Sequence, residues 1–201
     1  MLGPGFLALL FAWLSPSQST AAPPVVLTYF IAEGSSGAGF RPADRELASW
    51  AVAAWQRNAP KGLRLERAAE SDALIRVYWT EPADGRYGEM QPLDVHGQRG
   101  AAVFIQPDVG LLDQAIARRA ATDDLLRDTV VYLTCLHEFG HALGLAHTRD
   151  FRDIMYFFGF GGDIVEYFDR YRRQLHARPD IARVSGLSAN DIRNLAEVFS
   201  R

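Results

Sequence analysis

Three of the five histidines in this chain, His137, His141 and His147, fall within eleven residues, with Glu138 and Gly144 between them. His137 and His141 are four residues apart in an apolar stretch of helical period. Their imidazoles therefore share one helix face about one turn apart, close enough to grip a single ion. Glu138 directly follows the first histidine and can lean over the same edge to reach a water on that ion. Gly144 can take the left-handed conformation that ends a helix and turns the chain, which would bring His147 back as a third nitrogen ligand. Three neutral imidazoles leave the fourth tetrahedral position of a zinc ion to water, the arrangement of a catalytic rather than a structural site. A helix with buried packing histidines is the plain alternative. It suits a lone histidine better than this spaced set.

The elements that must position these residues are legible in outline. Val25 to Ile31 is β-branched and aromatic, as in a buried strand, and Leu63 to Arg67 and Leu74 to Thr80 alternate like strands. Pro42 to Asn58 reads as a helix with an apolar stripe through Leu47, Trp50, Ala51, Ala54 and Trp55. Glu81 to Gly100 reads as a loop, Ala101 to Gln106 as a strand and Val109 to Ala121 as a helix. Thr122 is the expected N-cap of the helix that carries the histidines, with Asp123 and Asp124 in its first turn. Ser188 to Asp191 has the form of a capping box opening a last helix. The turn Gly34 to Gly39 lacks the ending of a phosphate loop.

A chain of 201 residues with 48% hydrophobic and 22% charged residues suits one globular domain, and a net charge of −3 gives no footprint for nucleic acid. The apolar run Phe6 to Leu14 is too short to span a bilayer and is followed by small polar residues. Residues 1–21 are therefore expected to be a cleaved signal peptide, although no Lys or Arg precedes the run. That predicts a secreted or periplasmic protein with no membrane span in its mature chain. Cys135 is the sole cysteine, so no internal disulfide can form. It stands two residues before His137, on a different helix face, and reads as a small packing residue.

The full pattern His-Glu-x-x-His-x-x-Gly-x-x-His, from His137 to His147, resembles the signature of the metzincin zinc metallopeptidases. Met155, eight residues beyond His147 in Asp153-Ile154-Met155-Tyr156, is similar to the methionine turn that lies beneath the metal in that family. This spacing, and Thr148 directly after the third histidine, look most like the matrixins, the subfamily of matrix metalloproteinases and small bacterial relatives. Leu187 to Ile192 is similar to the start of the last matrixin helix. Element order agrees over most of the chain, and close matching is confined to Leu136–Tyr156.

The resemblance implies an α/β (α+β) zincin fold, with a twisted, mostly parallel sheet on two long helices and a small C-terminal lobe. It implies a single catalytic domain over residues 22–201, with an upper lobe of about 22–147 and a lower lobe of about 148–201. One zinc ion would be held by His137, His141 and His147, with Glu138 as general base and Gly144 and Met155 in support. The implied activity is a secreted, monomeric zinc endopeptidase acting on protein or peptide substrates, each lying extended along Ala101 to Gln106. A calcium ion at Asp84, Asp94 or Asp108 is a second cofactor expectation, set against the ordinary reading of solvated loop carboxylates.

The departures from the family pattern are local. Phe157 stands where astacins and serralysins place a metal-reaching tyrosine two residues after the methionine, and where matrixins usually have a proline beside the S1′ pocket. An aromatic, glycine-rich run follows, and then an extra helix expected from Asp163 to His176 with a stripe of Ile164, Phe168, Tyr171 and Leu175. Only His96 stands in the central loop, so a second, structural zinc is not expected there. Two other readings share the zinc site. A non-catalytic zinc module would need loss of Glu138 or of the open ligand position, and a hydrolase of non-protein amides would use the same zinc and water.

Overall fold

The computed structural model describes residues 23–80, 87–111 and 113–200. The expected signal peptide and Asp84 lie outside the described residues. Five strands form one sheet: β1 (Val25–Ile31), β2 (Leu63–Arg67), β3 (Ile75–Trp79), β4 (Gly88–Val95) and β5 (Gln98–Ile105), in the order β2-β1-β3-β5-β4. All neighbours are parallel except β4 against β5. Helix α1 (Asp44–Arg57) makes the crossover from β1 to β2. The fold is thus the mixed α/β, mostly parallel arrangement expected of a zincin.

The sheet is read out by side-chain alternation. Ile75 and Val77 of β3 are buried with Val103 and Ile105 of β5, while Tyr78 and Phe104, paired in register, stack on the opposite face with ring centroids 5.7 Å apart. Against the inner face lie α1 and α3 (Asp124–Ala142), which pack on each other. Trp55 is fully buried, and its indole N–H donates to the Leu136 carbonyl at 2.9 Å, which fixes α1 to α3 one residue before His137. A buried ion pair does the same at the other end. Arg127 of α3 meets the fully buried Asp44 that opens α1, and its Nη2 also donates to the Pro107 carbonyl at 3.0 Å.

Five sequence expectations change. The segment read as a loop up to Gly100 holds β4 and the start of β5, joined by the two-residue turn His96-Gly97, both with positive φ (52° and 80°). Its Gly, Pro and Asp content suits an edge strand, where Pro92 loses no ladder bond. Because β5 pairs with β3 on one side and β4 on the other over Ala101–Ile105, its backbone is spent. A peptide therefore cannot align along Ala101 to Gln106, and the edge on that side of the sheet belongs to β4.

The helix expected over Val109 to Ala121 is a 3₁₀ turn at Val109–Leu111 and then α2 (Gln114–Ala120), capped by the Asp113 carboxylate. The N-cap of α3 is Asp123, which accepts from the Leu126 N–H at 3.0 Å, whereas the Thr122 hydroxyl donates back to the Arg119 carbonyl. A carboxylate at a helix N-terminus has the advantage of charge over a hydroxyl.

After α3 the chain forms α4 (Ile164–Arg172) and α5 (Ala189–Phe199). The extra helix is thus shorter than Asp163 to His176, with Asp163 as its cap. Tyr167, missing from the expected stripe, is buried beside Phe168. Among the described residues no helix is long and apolar enough to cross a membrane.

Candidate metal centre

Helix α3 carries His137, Glu138 and His141 in its last two turns and then stops at a glycine. Gly144 has φ +95°, its N–H donates to the His141 carbonyl at 2.9 Å, and the Leu145 N–H donates to the Gly140 carbonyl at 3.0 Å. That pair of bonds is the Schellman stop, in which a residue with a Cβ would be strained. The reversed chain brings His147 back. Its Nε2 lies 3.0 Å from His141 Nε2 and 3.3 Å from His137 Nε2.

The other ring nitrogens decide what those short separations mean. His137 Nδ1 is 2.6 Å from the Ile154 carbonyl oxygen, and His141 Nδ1 is 2.9 Å from the Leu145 carbonyl oxygen. A carbonyl only accepts, so each Nδ1 carries the proton and each Nε2 presents a bare lone pair. Two such lone pairs cannot bond to each other; a single proton on His147 Nε2 can serve them only by sharing, whereas a cation between the three nitrogens would satisfy all of them. Three nitrogens about 2.0–2.1 Å from a tetrahedral zinc would stand roughly 3.3 Å apart, close to the separations seen. Burial also holds the site neutral: it pushes His137 down to about 4, against the bond to Ile154, and lowers His141 and His147. Neutral imidazole is the form that binds metal. Among the described residues these three histidines are the one cluster able to hold a metal ion.

The floor of the site is the methionine turn. Met155 is fully buried beneath α3, so close that a Cβ on Gly140 would lie 2.5 Å from its sulfur. The turn is clamped from α5, where the fully buried Asp191 accepts from Ile154 N–H at 2.9 Å, from Ser188 N–H at 2.8 Å and from Met155 N–H at 3.4 Å. Asp153 completes the clamp, accepting from the Ser188 hydroxyl and the Asn190 amide. The capping box was readable in the sequence. The second use of its aspartate was not, because the partner backbone is 37 residues away.

Glu138 is buried and lies under the first residue of the edge strand; a Cβ on Gly88 would come 2.6 Å from Glu138 Cγ. Glycine there lets β4 pass close over the carboxylate. Phe157 stacks on the His147 ring at 4.7 Å and 22° and, unlike a tyrosine, brings no hydroxyl to the site. Beside the histidines opens a cavity of about 460 Å³, lined mainly by apolar and aromatic side chains, with Glu138 and Glu89 also bordering it. Asp94 and Asp108, the described calcium candidates, accept from Gly97 N–H and Gly110 N–H and so close their own turns. Cys135 is buried, and burial pushes its thiol well up, as for a packing residue.

With this geometry in view, the comparisons with known proteins are specific. The family model described as Matrixin matches residues 22–161. A search of the curated proteins finds no match.

Proposed function

Because the chain belongs to the matrixin family of metallopeptidases, we propose that it is an exported zinc endopeptidase with His137, His141 and His147 as ligands and Glu138 as general base. The observation that carries this reading is the convergence of two bare Nε2 lone pairs on His147, with Glu138 and an open cavity alongside. Zinc, when bound there, supplies Lewis-acid chemistry, polarising a carbonyl and making water a better nucleophile.

The chain's own groups account for the rest. The carbonyls of Ile154 and Leu145 hold the His137 and His141 rings in the tautomer that leaves Nε2 free. Glu138 takes a proton on its carboxylate from the attacking water and hands it to the departing amine nitrogen as the peptide C–N bond breaks. The edge of β4 orients the substrate. Tyr87 accepts from Gln106 N–H, and the two-residue turn closes on the pair Val95 and Gln98, so the odd-numbered residues of β4 face β5. Gly88, Met90 and Asp94 then turn both backbone groups outward, while Pro92 offers only its carbonyl. An extended peptide adding to this edge passes over Glu138 at Gly88 and loses a donor at Pro92. Residues 1–21 serve as the export signal, and 22–201 form the single catalytic domain, its lower lobe starting at about residue 148.

Glu138→Ala tests the reading. One zinc per chain should remain bound while hydrolysis of a mixed peptide library falls by about 10²–10⁴-fold, the usual share of a general base. Hydrolysis that survives this change, or survives chelation of the metal, would overturn the proposal.

A further inference from the structure

The three histidines are not held alike. His137 and His141 each have a backbone carbonyl on Nδ1, from Ile154 and Leu145, whereas Nδ1 of His147 has no hydrogen-bond partner among the described residues. His147 is also the exposed ring of the three. An outer partner fixes the orientation of a ligating imidazole, and without one the ring is free to swing out of the ligand set. What touches His147 instead is another ring, since Phe157 lies nearly parallel on it at 4.7 Å and 22°. Resting on the zinc reading above, we infer that Phe157 is the positioning residue of the third ligand. Its ring holds His147 by stacking, in the place that a carbonyl takes for His137 and His141.

Phe157 is itself fixed by its surroundings. The Thr148 N–H donates to the Met155 carbonyl at 2.8 Å, and Thr148 and Tyr156 form a parallel bridge, so His147 and Phe157 flank one backbone joint. Further along the same two segments, the Arg149 guanidinium lies over the Phe160 ring, 4.3 Å from its centroid. Phe160 in turn meets Phe157 at right angles, 5.4 Å between centroids. The Tyr156 hydroxyl closes this turn by donating to the Gly161 carbonyl at 2.7 Å. Gly159, in the 3₁₀ turn Phe158–Phe160, leaves room for the stacked ring: a Cβ there would lie 2.1 Å from Phe157 Cε1 and 2.4 Å from its Cζ. Burial does not account for the arrangement. Phe157 and Phe160 are 44% and 45% exposed, so neither ring is committed to filling the core.

Phe157→Ala removes the ring, Phe157→Leu keeps apolar bulk without a ring, and Gly159→Ala leaves every side chain at the site but must displace the ring. Zinc is titrated in competition with a chromophoric chelator at constant pH, and the visible absorption of the cobalt-loaded protein reports the geometry of the ligand set. Phe157→Ala and Phe157→Leu should each bind zinc about 3–10-fold more weakly than the parent, the worth of one aromatic pair. Gly159→Ala should weaken zinc in the same direction, and all three should shift the cobalt spectrum. Metal-free Tm should stay within about 2 °C of the parent, because the ring is exposed, which separates a positioning role from a general loss of structure.

Zinc affinity of Phe157→Ala within about 2-fold of the parent, or a loss that Phe157→Leu restores in full, would overturn the positioning role. Where Phe157→Ala lowers the metal-free Tm, Gly159→Ala decides by the same limit. A parent protein that binds no zinc would overturn the metal-site reading and this role together. A parent that binds zinc, with variants that match it, would overturn this role alone.

Discussion

Replacing Asp191 with alanine removes one carboxylate that holds three backbone N–H groups, on Ile154, Met155 and Ser188. The two bonds at 2.9 and 2.8 Å are charge-assisted, each contributing roughly 1.5–3 kcal/mol, while the third at 3.4 Å adds little. Burial works the other way and raises the carboxyl pKa, so the gross loss is partly offset when the charge is gone. A net destabilisation of about 3 kcal/mol follows, or roughly 6–12 °C in Tm for a domain of this size. The effect should also reach the metal. Ile154 links the clamp to His137, whose Nδ1–H bonds its carbonyl at 2.6 Å. Loss of such an outer partner typically weakens metal affinity by about 10–100-fold. Thermal unfolding with and without chelator, and competition titration of zinc against a chromophoric chelator, read the two effects separately. Asp191→Asn should fall between parent and alanine, because its amide oxygen still accepts but its NH₂ faces a donor. If Asp191→Ala unfolds within about 2 °C of the parent and binds zinc as tightly, the clamp is not what orients the ligand.

Arg127→Met leaves the Asp44 carboxylate buried with the Arg41 N–H but without its guanidinium, and should cost about 3–5 kcal/mol in urea unfolding. A double variant that also makes Asp44 apolar should recover much of that loss; failure to recover would place the damage elsewhere. Gly140→Ala puts a methyl 2.5 Å from the Met155 sulfur and 3.0 Å from Trp55, both fully buried, and should cost about 1–3 kcal/mol. An unchanged urea midpoint would show that the turn below α3 yields more easily than its packing indicates. The metal-stripped protein should also lose stability as pH falls from 6.5 towards 4. The unfolded chain takes up protons on its histidines near 6.5, whereas burial delays His137 to about 4, so unfolding binds protons across that window and acid favours it. His137→Asn should flatten the slope, and a midpoint independent of pH from 7 to 4.5 would refute it.

What was legible in the sequence was local. The histidine spacing, the stopping glycine and the capping box at Ser188 each lie within a few residues, and periodicity located α1, α3, α5 and the parallel strands. What was missed depends on partners far along the chain. The strand β4 hid in a segment rich in Gly, Pro and Asp because an edge strand needs ladder bonds on one side only. With β4 unseen, Ala101 to Gln106 reads as an open strand, whereas β5 is paired on both sides over Ala101–Ile105. Asp191 showed its capping role but not its hold on Ile154, and Phe157 gave no sign that it stacks on His147. The cap of α3 was misplaced by one residue because Thr122 and Asp123 are both good caps and only the packed helix chooses between them.

The proline in β4 has a consequence beyond substrate length. An open strand edge is open to the same edge of another copy, and edge-to-edge pairing of folded chains is a route to aggregates. Beyond Met90 the outward row meets Pro92, which cannot donate, and then the carboxylate of Asp94, which two copies would bring close together. Under the proposed function a guest peptide would need to cover only the few residues beside Glu138, whereas a second sheet would have to match the whole row. Pro92 and Asp94 thus work against pairing of this edge with a second sheet, while Gly88 and Met90 keep their backbone groups turned outward.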